Sequence, residues 1–385
     1  KLVNPEQSPF FNWSKPFVQL ETTRGCFNTC AFCVSGGEKP VRTLSVEAIR
    51  ERVRLIHEKG IRNIRVLDRT FNYQSHRAKA LFDLFREFPD MRFHLEIHPA
   101  LLSEELKKEL ASMPKGLLHL EAGIQSLHEE VLTVSRRAGK LADALEGLRY
   151  LCALDNMETH ADLIAGLPLY HLSQIFDDVR TLAEYRAGEI QLESLKLLPG
   201  TEMRRRAEEL GICYSPLPPY EVLQTREITP DELQTARQLS RLLDGFYNAP
   251  AWQEITRRLI VEEPDFLTRF LNHLIQIGVI DQPMGLERRG ILLYHFCKEH
   301  YPHFLTAMSR AWIEAGMSLK KEPAERVRTK HVTPPEAWTV CTGTYHENLR
   351  LCKLPAPEEG RCYWYGFETE SQQLRPVFAA VSEYI

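Results

Sequence analysis

The stretch Arg24-Gly25-Cys26-Phe27-Asn28-Thr29-Cys30-Ala31-Phe32-Cys33 places three cysteines in one loop, with three residues and then two residues between them. An iron–sulfur cluster with four irons usually takes four cysteines. Three thiolates would leave one iron open to a ligand that is not protein, and an open metal position is typical of a catalytic site. The loop follows the strand-like run at residues 17–23, so we expect it at the carboxyl end of a sheet.

Two other interpretations of the three cysteines are a zinc site and three buried thiols without a function. Zinc usually takes two pairs of ligands with a Cys-x-x-Cys spacing. No second pair follows at the distance found in zinc fingers, so the pattern favours the cluster.

The composition limits the classes of protein that need to be considered. The chain has 385 residues, of which 43% are hydrophobic and 26% charged, a balance typical of globular proteins with a large core. The formal net charge is −4, which makes nucleic acid an unlikely partner. No apolar run approaches the roughly 20 residues that cross a bilayer. The nine cysteines are too sparse for a disulfide framework. We therefore expect a cytoplasmic protein.

Strand-like runs alternate with segments of helical spacing over the first half of the chain. This alternation predicts parallel βαβ units. Six units predict an α/β fold with a partial (β/α)6 TIM-like barrel, whose active site would form at the carboxyl ends of the strands. The six strand-like runs are residues 17–23, 61–67, 93–97, 117–124, 159–164 and 190–198.

The remaining chain changes in character after Gly211. A proline-rich connector precedes segments of helical spacing, and a charged stretch with prolines precedes short strand-like pieces. We predict a lead-in, the partial barrel, a C-terminal helical domain, and a linker with a small C-terminal α+β extension. The predicted bounds are residues 1–16, 17–211, 212–317 and 318–385.

The cysteine spacing resembles the signature Cys-x-x-x-Cys-x-x-Cys of the radical S-adenosylmethionine (radical SAM) superfamily. The resemblance implies a 4Fe-4S cluster ligated by Cys26, Cys30 and Cys33, whose open iron binds S-adenosylmethionine. It also implies reductive cleavage of that molecule to a 5′-deoxyadenosyl radical. Phe32 matches an aromatic residue that lies close to the adenine in family members.

The predicted strand ends carry further polar residues. Their order is similar to that in the oxygen-independent coproporphyrinogen III dehydrogenase branch, and that resemblance assigns Glu96, Gln125, Arg137 and Asp162 to S-adenosylmethionine, with Arg136 as an adjacent alternative. A guanidinium suits a carboxylate, and acidic groups suit an ammonium group and ribose hydroxyls.

Two more residues are assigned to the same ligand on chemical grounds. Asp68 could accept hydrogen bonds from an ammonium group, or it could serve as a helix cap or turn residue. Gly166 would allow the adenine to approach the backbone, or it could be a turn residue.

Substrate contacts are expected after the sixth strand. Lys196 is a candidate for binding a substrate anion, with a plain ion pair as the alternative. Tyr220 and Glu221 could close the mouth of the barrel, and Tyr220 could equally be a core residue.

Residues 67–72, 162–168 and 219–223 together resemble an uncharacterised subgroup of cobalamin-associated radical SAM proteins. A cobalamin-binding domain commonly precedes the barrel in that subgroup. Its Asp-x-His-x-x-Gly motif does not occur in this sequence. The resemblance therefore makes cobalamin a candidate for an additional cofactor. No motif of the chain supports it. The sequence begins at Lys1 without a methionine, and whether a cobalamin domain precedes it in the native protein stays open.

The expected function is abstraction of hydrogen from a small-molecule or nucleobase-like substrate, followed by lyase-type fragmentation or rearrangement, with flavodoxin or ferredoxin as the electron donor. Cobalamin-dependent methyl transfer is the alternative reaction. An iron–sulfur electron carrier or regulator is the alternative of another class. A second cluster on Cys341, Cys352 and Cys362 is a further hypothesis.

Overall fold

The computed structural model describes residues 4–36, 39–329, 332–369 and 374–384. The chain forms two compact units, Lys1–Leu243 and Asp244–Ile385. The predicted domain bounds at residues 16, 211 and 317 stay a prediction. Lys330 and His331, which belong to the predicted linker, lie outside the described residues.

The amino-terminal unit is built on a six-stranded parallel sheet with helices between its strands. The strands of this unit are β1 (Val18–Leu20), β2 (Thr23–Arg24), β3 (Arg42–Thr43), β4 (Asn63–Val66), β5 (Arg92–Ile97), β6 (Leu118–Gln125), β7 (Glu158–Ala165), β8 (Glu189–Ser194), β9 (Cys213–Tyr214) and β10 (Val222–Gln224). The large sheet has the order β1-β4-β5-β6-β7-β8. This order of six parallel strands confirms the predicted partial (β/α)6 barrel.

The helices of this unit follow the capping residues and the helical spacing of apolar residues in the sequence. They are α1 (Val46–Glu58), α2 (Ser75–Arg86), α3 (Glu104–Ala111), α4 (Glu129–Val134), α5 (Leu141–Cys152), α6 (Leu172–Glu184), α7 (Glu202–Arg205) and α8 (Pro230–Leu242). The hydroxyl of Ser45 caps α1 by accepting a hydrogen bond from the amide of Ala48. Ile49, Val53 and Ile56 of α1 are fully buried, as their helical spacing predicts.

The two faces of the parallel sheet differ in chemistry because side chains alternate along each strand. One face carries buried apolar residues such as Leu95, Leu120 and Ala161, which belong to the hydrophobic core. The other face carries polar residues at every second position of four neighbouring strands. These inner-face residues are His94 and Glu96 on β5, His119 and Glu121 on β6, His160 and Asp162 on β7, and Glu189, Gln191 and Glu193 on β8.

The last strand of the sheet is shorter than predicted and ends at Ser194. The amide of Leu195 still donates to the carbonyl of Ala165, but the amide of Leu197 donates to the carbonyl of Tyr220. An isolated antiparallel bridge joins Lys196 to Glu221. The chain therefore leaves the large sheet at this point.

The carboxyl-terminal unit contains helices followed by an antiparallel sheet. A π-helical turn (Leu243–Tyr247) follows α8, and the helices are α9 (Gln253–Glu262), α10 (Phe266–Gln276), α11 (Leu286–His300) and α12 (Leu305–Glu314). The strands are β11 (Thr339–Thr342), β12 (Leu349–Ala356), β13 (Arg361–Glu368) and β14 (Phe378–Glu383), in the order β11-β14-β13-β12. Among the described residues, no helix is both long and apolar enough to cross a membrane.

Candidate active site

The cysteine loop is held in place by hydrogen bonds to neighbouring segments. The amide of Ala31 donates to the carbonyl of Ser135, and the amide of Met203 donates to the carbonyl of Ala31. The buried Asn28 side chain accepts a hydrogen bond from the amide of Ala138 at 3.2 Å. These bonds fix the loop to the segments before α5 and at the start of α7, beside the carboxyl end of the sheet.

The loop turns tightly around its last two cysteines. The amide of Cys33 donates to the carbonyl of Cys30, and the amide of Gly36 donates to the carbonyl of Cys33. A Cβ atom at Gly36 would lie 2.8 Å from the Cys30 carbonyl oxygen and 3.1 Å from that of Cys33. Only glycine fits this close approach.

A polar cavity of about 300 Å³ joins the cysteine loop to the ends of the strands. It brings together most of the predicted site residues: Cys26, Phe32, Glu96, Gln125, Arg137, Asp162 and the two further cysteines, Cys30 and Cys33. It also contains five polar residues that the sequence did not single out as cofactor ligands: Asn28, Arg69, Glu121, Gln191 and Glu193. A single cavity therefore contains the three thiols and the strand-end residues.

Arg137 connects the cysteine loop to the end of β6. Its Nη1 atom lies 3.7 Å from the sulfur of Cys30, and its Nη2 atom donates to the carbonyl of Gly123. Burial raises the pKa of Cys30, and Arg137 opposes that increase. Arg136, the adjacent alternative, instead pairs with Glu202 and has a positive φ of 51°. The structure therefore places Arg137 in the cavity.

The acidic residues of the cavity change one another's pKa values. Burial and then the nearby carboxylate of Glu121 raise the pKa of Glu96 to about 7. Burial raises the pKa of Asp162 well above its ordinary value, and Glu121 adds to that increase. A hydrogen bond with His94 lowers the pKa of Glu121. A cationic ligand would compensate this crowding of carboxylates.

The carboxylate of Asp68 forms hydrogen bonds within the protein. Its oxygens accept hydrogen bonds from the amides of Thr22 and Thr23, each at 2.8 Å, and from the Thr22 hydroxyl. It is 1% exposed and lies outside the described lining of the cavity. These bonds stabilise the turn that follows β1, which is the alternative role, and the assignment of Asp68 to S-adenosylmethionine stays a prediction.

Gly166 also lies outside the described lining of the cavity. It has a φ of +88°, and a Cβ atom there would contact Leu195, Val222 and Leu233. The glycine is therefore a turn residue with a conformation that other residues rarely adopt. Its assignment to adenine binding stays a prediction.

The three predicted substrate contacts lie together but outside the described lining of the same cavity. Lys196 is exposed and bridges to Glu221. Glu221 forms an ion pair with Arg237 at 2.7 Å. The ring of Tyr220 stacks on the guanidinium of Arg204 at 4.8 Å. The contacts of Tyr220 and Glu221 and the backbone bridge of Lys196 hold the segment after β8. The assignment of these three residues to the substrate stays a prediction.

The remaining three predicted cluster ligands lie in the carboxyl-terminal sheet. Cys341 is exposed on β11, whereas Cys352 and Cys362 are buried on β12 and β13. Cys352 and Cys362 pack into two different apolar clusters. The hypothesis of a second metal cluster is therefore wrong for the described structure. We call these three the sheet cysteines, and Cys26, Cys30 and Cys33 the loop cysteines.

Comparison with known proteins identifies the class of this domain. Residues 20–182 match the family model "Radical SAM superfamily", and residues 208–309 match "Protein of unknown function (DUF4080)". The chain therefore contains a radical SAM domain, and the resemblance seen in the cysteine spacing is confirmed.

Curated relatives are similar over part of their length. The chain is 27% identical over 213 residues to the tRNA-2-methylthio-N(6)-dimethylallyladenosine synthase of Herpetosiphon aurantiacus, which covers 50% of this chain and 47% of that protein. It is 27% identical over 178 residues to the ribosomal protein uS12 methylthiotransferase RimO of Prochlorococcus marinus, covering 43% of this chain and 41% of that protein. The chain thus spans about half the length, or less, of these relatives.

Two solved structures have similar segments. The radical S-adenosylmethionine methyltransferase TsrM of Kitasatospora setae aligns with a TM-score of 0.46 and 16% identity, covering 56% of this chain and 44% of that chain. The cobalamin-dependent S-adenosylmethionine radical enzyme OxsB aligns with a TM-score of 0.48 and 14% identity, covering 76% of this chain and 53% of that chain.

A radical SAM domain implies a 4Fe-4S cluster and S-adenosylmethionine, and the residues of the cavity fit both. The loop cysteines line one cavity and would hold the cluster. Among the described residues, no three His, Cys, Asp or Glu side chains are grouped closely enough for a single metal ion. Thiolates that each bind a different iron are more widely spaced than the ligands of one ion, so the two observations agree.

The buried atom Oδ1 of Asp162 has no hydrogen-bond partner in the described structure. A buried polar atom of this kind usually has a partner, so its position indicates a ligand with donor groups. Asp162 and Glu96 suit the ammonium and ribose hydroxyl groups of S-adenosylmethionine, and Arg137 suits its carboxylate.

Proposed function

We propose that this chain is a radical SAM enzyme whose active site is the cavity between the loop cysteines and the ends of β5 to β8. The observation that carries the proposal is that this cavity holds three thiols together with Glu96, Gln125, Arg137 and Asp162. When bound, the cluster and S-adenosylmethionine supply a one-electron reductive cleavage that generates a strong hydrogen-abstracting group.

The residues of the chain position the ligand and exclude water. Arg137 lies against Cys30 and can orient a carboxylate next to the cluster. Asp162 is deeply buried, so bonds that it accepts from the ligand form in a low dielectric and are strengthened. Enclosure by the loop and the strand ends protects a reactive intermediate from solvent.

Gln191 and Glu193 are further candidates for contact with the substrate, beside Lys196, Tyr220 and Glu221. Both lie on β8 at the edge of the large sheet and line the cavity. We propose a small-molecule or nucleobase-like substrate from which hydrogen is abstracted, with fragmentation or rearrangement as the outcome. Flavodoxin or ferredoxin is the proposed electron donor.

A transferase reaction is the second candidate, because one of the two curated relatives described above is named a methylthiotransferase and the other a 2-methylthio-N(6)-dimethylallyladenosine synthase. S-adenosylmethionine with a deuterated methyl group separates the two candidates. Deuterium in the substrate supports transfer, whereas formation of 5′-deoxyadenosine without methyl incorporation supports hydrogen abstraction alone.

The experiment that tests the proposal is anaerobic reconstitution with iron and sulfide, followed by dithionite and S-adenosylmethionine. Formation of 5′-deoxyadenosine is the expected result. A reduced cluster whose electron paramagnetic resonance spectrum does not change with S-adenosylmethionine contradicts the proposal. That outcome would indicate an electron carrier or regulator.

A further inference from the structure

The end of β6 has an unusual backbone conformation beside the cavity of the loop cysteines. Gln125, the last residue of this strand, has a φ of +73°, in the left-handed region that favours glycine. The pairing with β7 also shifts its register between Gly123 and Gln125. Among the described residues, Gln125 is the one non-glycine residue with a positive φ that lines this cavity. Such strained residues persist only where the surrounding structure holds them, and they are often found at active sites.

The side chain of Gln125 lies over Gly123 and close to Arg137. A Cβ atom at Gly123 would lie 2.5 Å from Nε2 of Gln125 and 3.5 Å from Nη2 of Arg137. The same Nη2 atom donates to the carbonyl of Gly123. The amide of Gln125 and the guanidinium of Arg137 are therefore neighbours in the cavity, and their donors suit a single carboxylate.

A buried carboxylate contacts the segment that follows Gln125. Oδ2 of Asp178 accepts hydrogen bonds from the amide of Leu127 at 2.8 Å and from the hydroxyl of Ser126 at 3.4 Å. Its Oδ1 atom lies 3.1 Å from Nε2 of His128. Three consecutive residues, directly after the strained one, therefore contact a single side chain of α6.

Asp178 is itself fixed by its surroundings. It lies in the middle of α6 and is 2% exposed. The hydroxyl of Tyr170, a fully buried residue, donates to Oδ2 of Asp178 at 2.5 Å. A buried carboxylate is stable only with such donors. Because a helix and a buried ring hold the carboxylate, its bonds restrict the movement of the turn after β6.

We propose that Asp178 is a positioning residue for the binding of S-adenosylmethionine, and that it acts by holding Gln125 in its left-handed conformation. The inference rests on the proposed function, in which Gln125 and Arg137 line the site of this molecule. Asp178 lies outside the described lining of the cavity, so its effect is transmitted through Gln125. Without Asp178 the backbone of Gln125 would relax to a negative φ, which other residues prefer, and its side chain would turn away from Arg137.

A role in stability alone is the competing explanation, because Asp178 also satisfies the buried groups around it. The two explanations differ in the result expected when the Gln125 side chain is absent. A residue that acts through Gln125 then loses its effect on the affinity for the ligand. A residue that acts independently of Gln125 changes the affinity by the same factor in both backgrounds.

The test is a double-mutant cycle, in which anaerobic isothermal titration calorimetry measures the affinity of the cluster-loaded protein for S-adenosylmethionine. Gln125→Ala and Asp178→Ala should each weaken binding about tenfold, as for the loss of a hydrogen bond to a charged group. The double variant should bind less than about twofold more weakly than Gln125→Ala. Asp178→Asn keeps an oxygen for Leu127 and Tyr170 and should restore the affinity to within about threefold of the wild type. Asp177→Asn, at the exposed neighbouring position of α6, is the control and should leave the affinity unchanged.

Tyr170→Phe is the second variant, for the case in which Asp178→Ala does not fold. It removes one hydroxyl and leaves the carboxylate, so it should weaken binding about threefold in the wild type and have no further effect in Gln125→Ala. Additive effects in the cycle that folds overturn the proposal. Unchanged affinity in a folded Asp178→Ala, or in Tyr170→Phe where Asp178→Ala does not fold, also overturns it. Wild-type protein that binds no S-adenosylmethionine contradicts the proposed function instead, so the two failures are distinguishable.

Discussion

The loop cysteines and the sheet cysteines are two groups of three, and their surroundings in the structure differ. The loop cysteines are close together in sequence, and their thiols share a polar cavity beside Arg137. The sheet cysteines lie on three different strands, and two of them pack into separate apolar clusters. A loop can therefore gather side chains that an antiparallel sheet places on different faces, because side chains alternate along each strand.

The first test of this comparison replaces each group as a whole. Cys26→Ser/Cys30→Ser/Cys33→Ser should reduce iron from about four atoms per reconstituted chain to near zero, because serine does not replace the thiolate ligands of the cluster. Formation of 5′-deoxyadenosine should become undetectable. Iron analysis and chromatography of the products measure both effects.

The matched control is Cys341→Ser/Cys352→Ala/Cys362→Ala, which should keep iron and activity within about twofold if these thiols bind no metal. Loss of iron in this variant would show that the two groups are not as different as the structure indicates.

The second test compares two adjacent arginines. Arg137→Ala should weaken binding of S-adenosylmethionine by about 10- to 100-fold, because a charged hydrogen bond contributes about 1.5–3 kcal/mol. Isothermal titration calorimetry on the anaerobic protein measures the affinity. Arg136→Ala, which removes an exposed pair with Glu202, should change it by less than about twofold. Equal effects of the two variants would contradict the placement of Arg137 in the site.

The third test uses the acidic cluster of the cavity. Because the pKa of Glu96 is raised to about 7, its carboxyl group loses its proton as the pH rises from 6 to 8. The negative charge favours a cationic ligand, so the affinity for S-adenosylmethionine should increase over this range. Between pH 6 and 8 the increase should be about fivefold if the ligand lowers this pKa by one unit. In the variant Glu96→Gln, the affinity for S-adenosylmethionine should change little between pH 6 and 8.

The fourth and smallest effect concerns stability alone. Cys352 is fully buried, and burial raises the pKa of its thiol to about 11. Cys352→Ala should lower the free energy of unfolding by about 1 kcal/mol, because it leaves a small cavity. Urea denaturation measures this change, and Cys341→Ala, at an exposed position, should be neutral within about 0.5 kcal/mol.

The sequence predicted the parts of the site that have local signatures. The cysteine spacing, the order of the strands and the residues Gln125 and Asp162 needed no contact information. Glu121 and Gln191 were missed because single polar residues within a strand look like exposed positions. Their signal was the two-residue period of polar side chains shared by β5 to β8, which indicates a polar inner face.

Other predicted residues lie outside the described lining of the cavity, because strand ends also need residues that stabilise turns. Asp68 follows a strand, as a ligand of the active site would, but its carboxylate is used by two backbone amides of the neighbouring strand end. Lys196 lies in a run that looks like the continuation of β8, whereas the chain has already left the sheet. Sequence position alone does not distinguish these roles, because the hydrogen-bond partners are distant in the chain.

The polar inner face of the large sheet has a consequence for the thermodynamics of the amino-terminal unit. Exposure of apolar surface raises the heat capacity on unfolding, whereas exposure of polar surface lowers it. Melting this unit would release carboxylates and imidazoles from one side of the sheet and aliphatic side chains from the other. Calorimetry should therefore show a smaller heat-capacity increment per residue than for a parallel sheet with two apolar faces, and a flatter curve of stability against temperature.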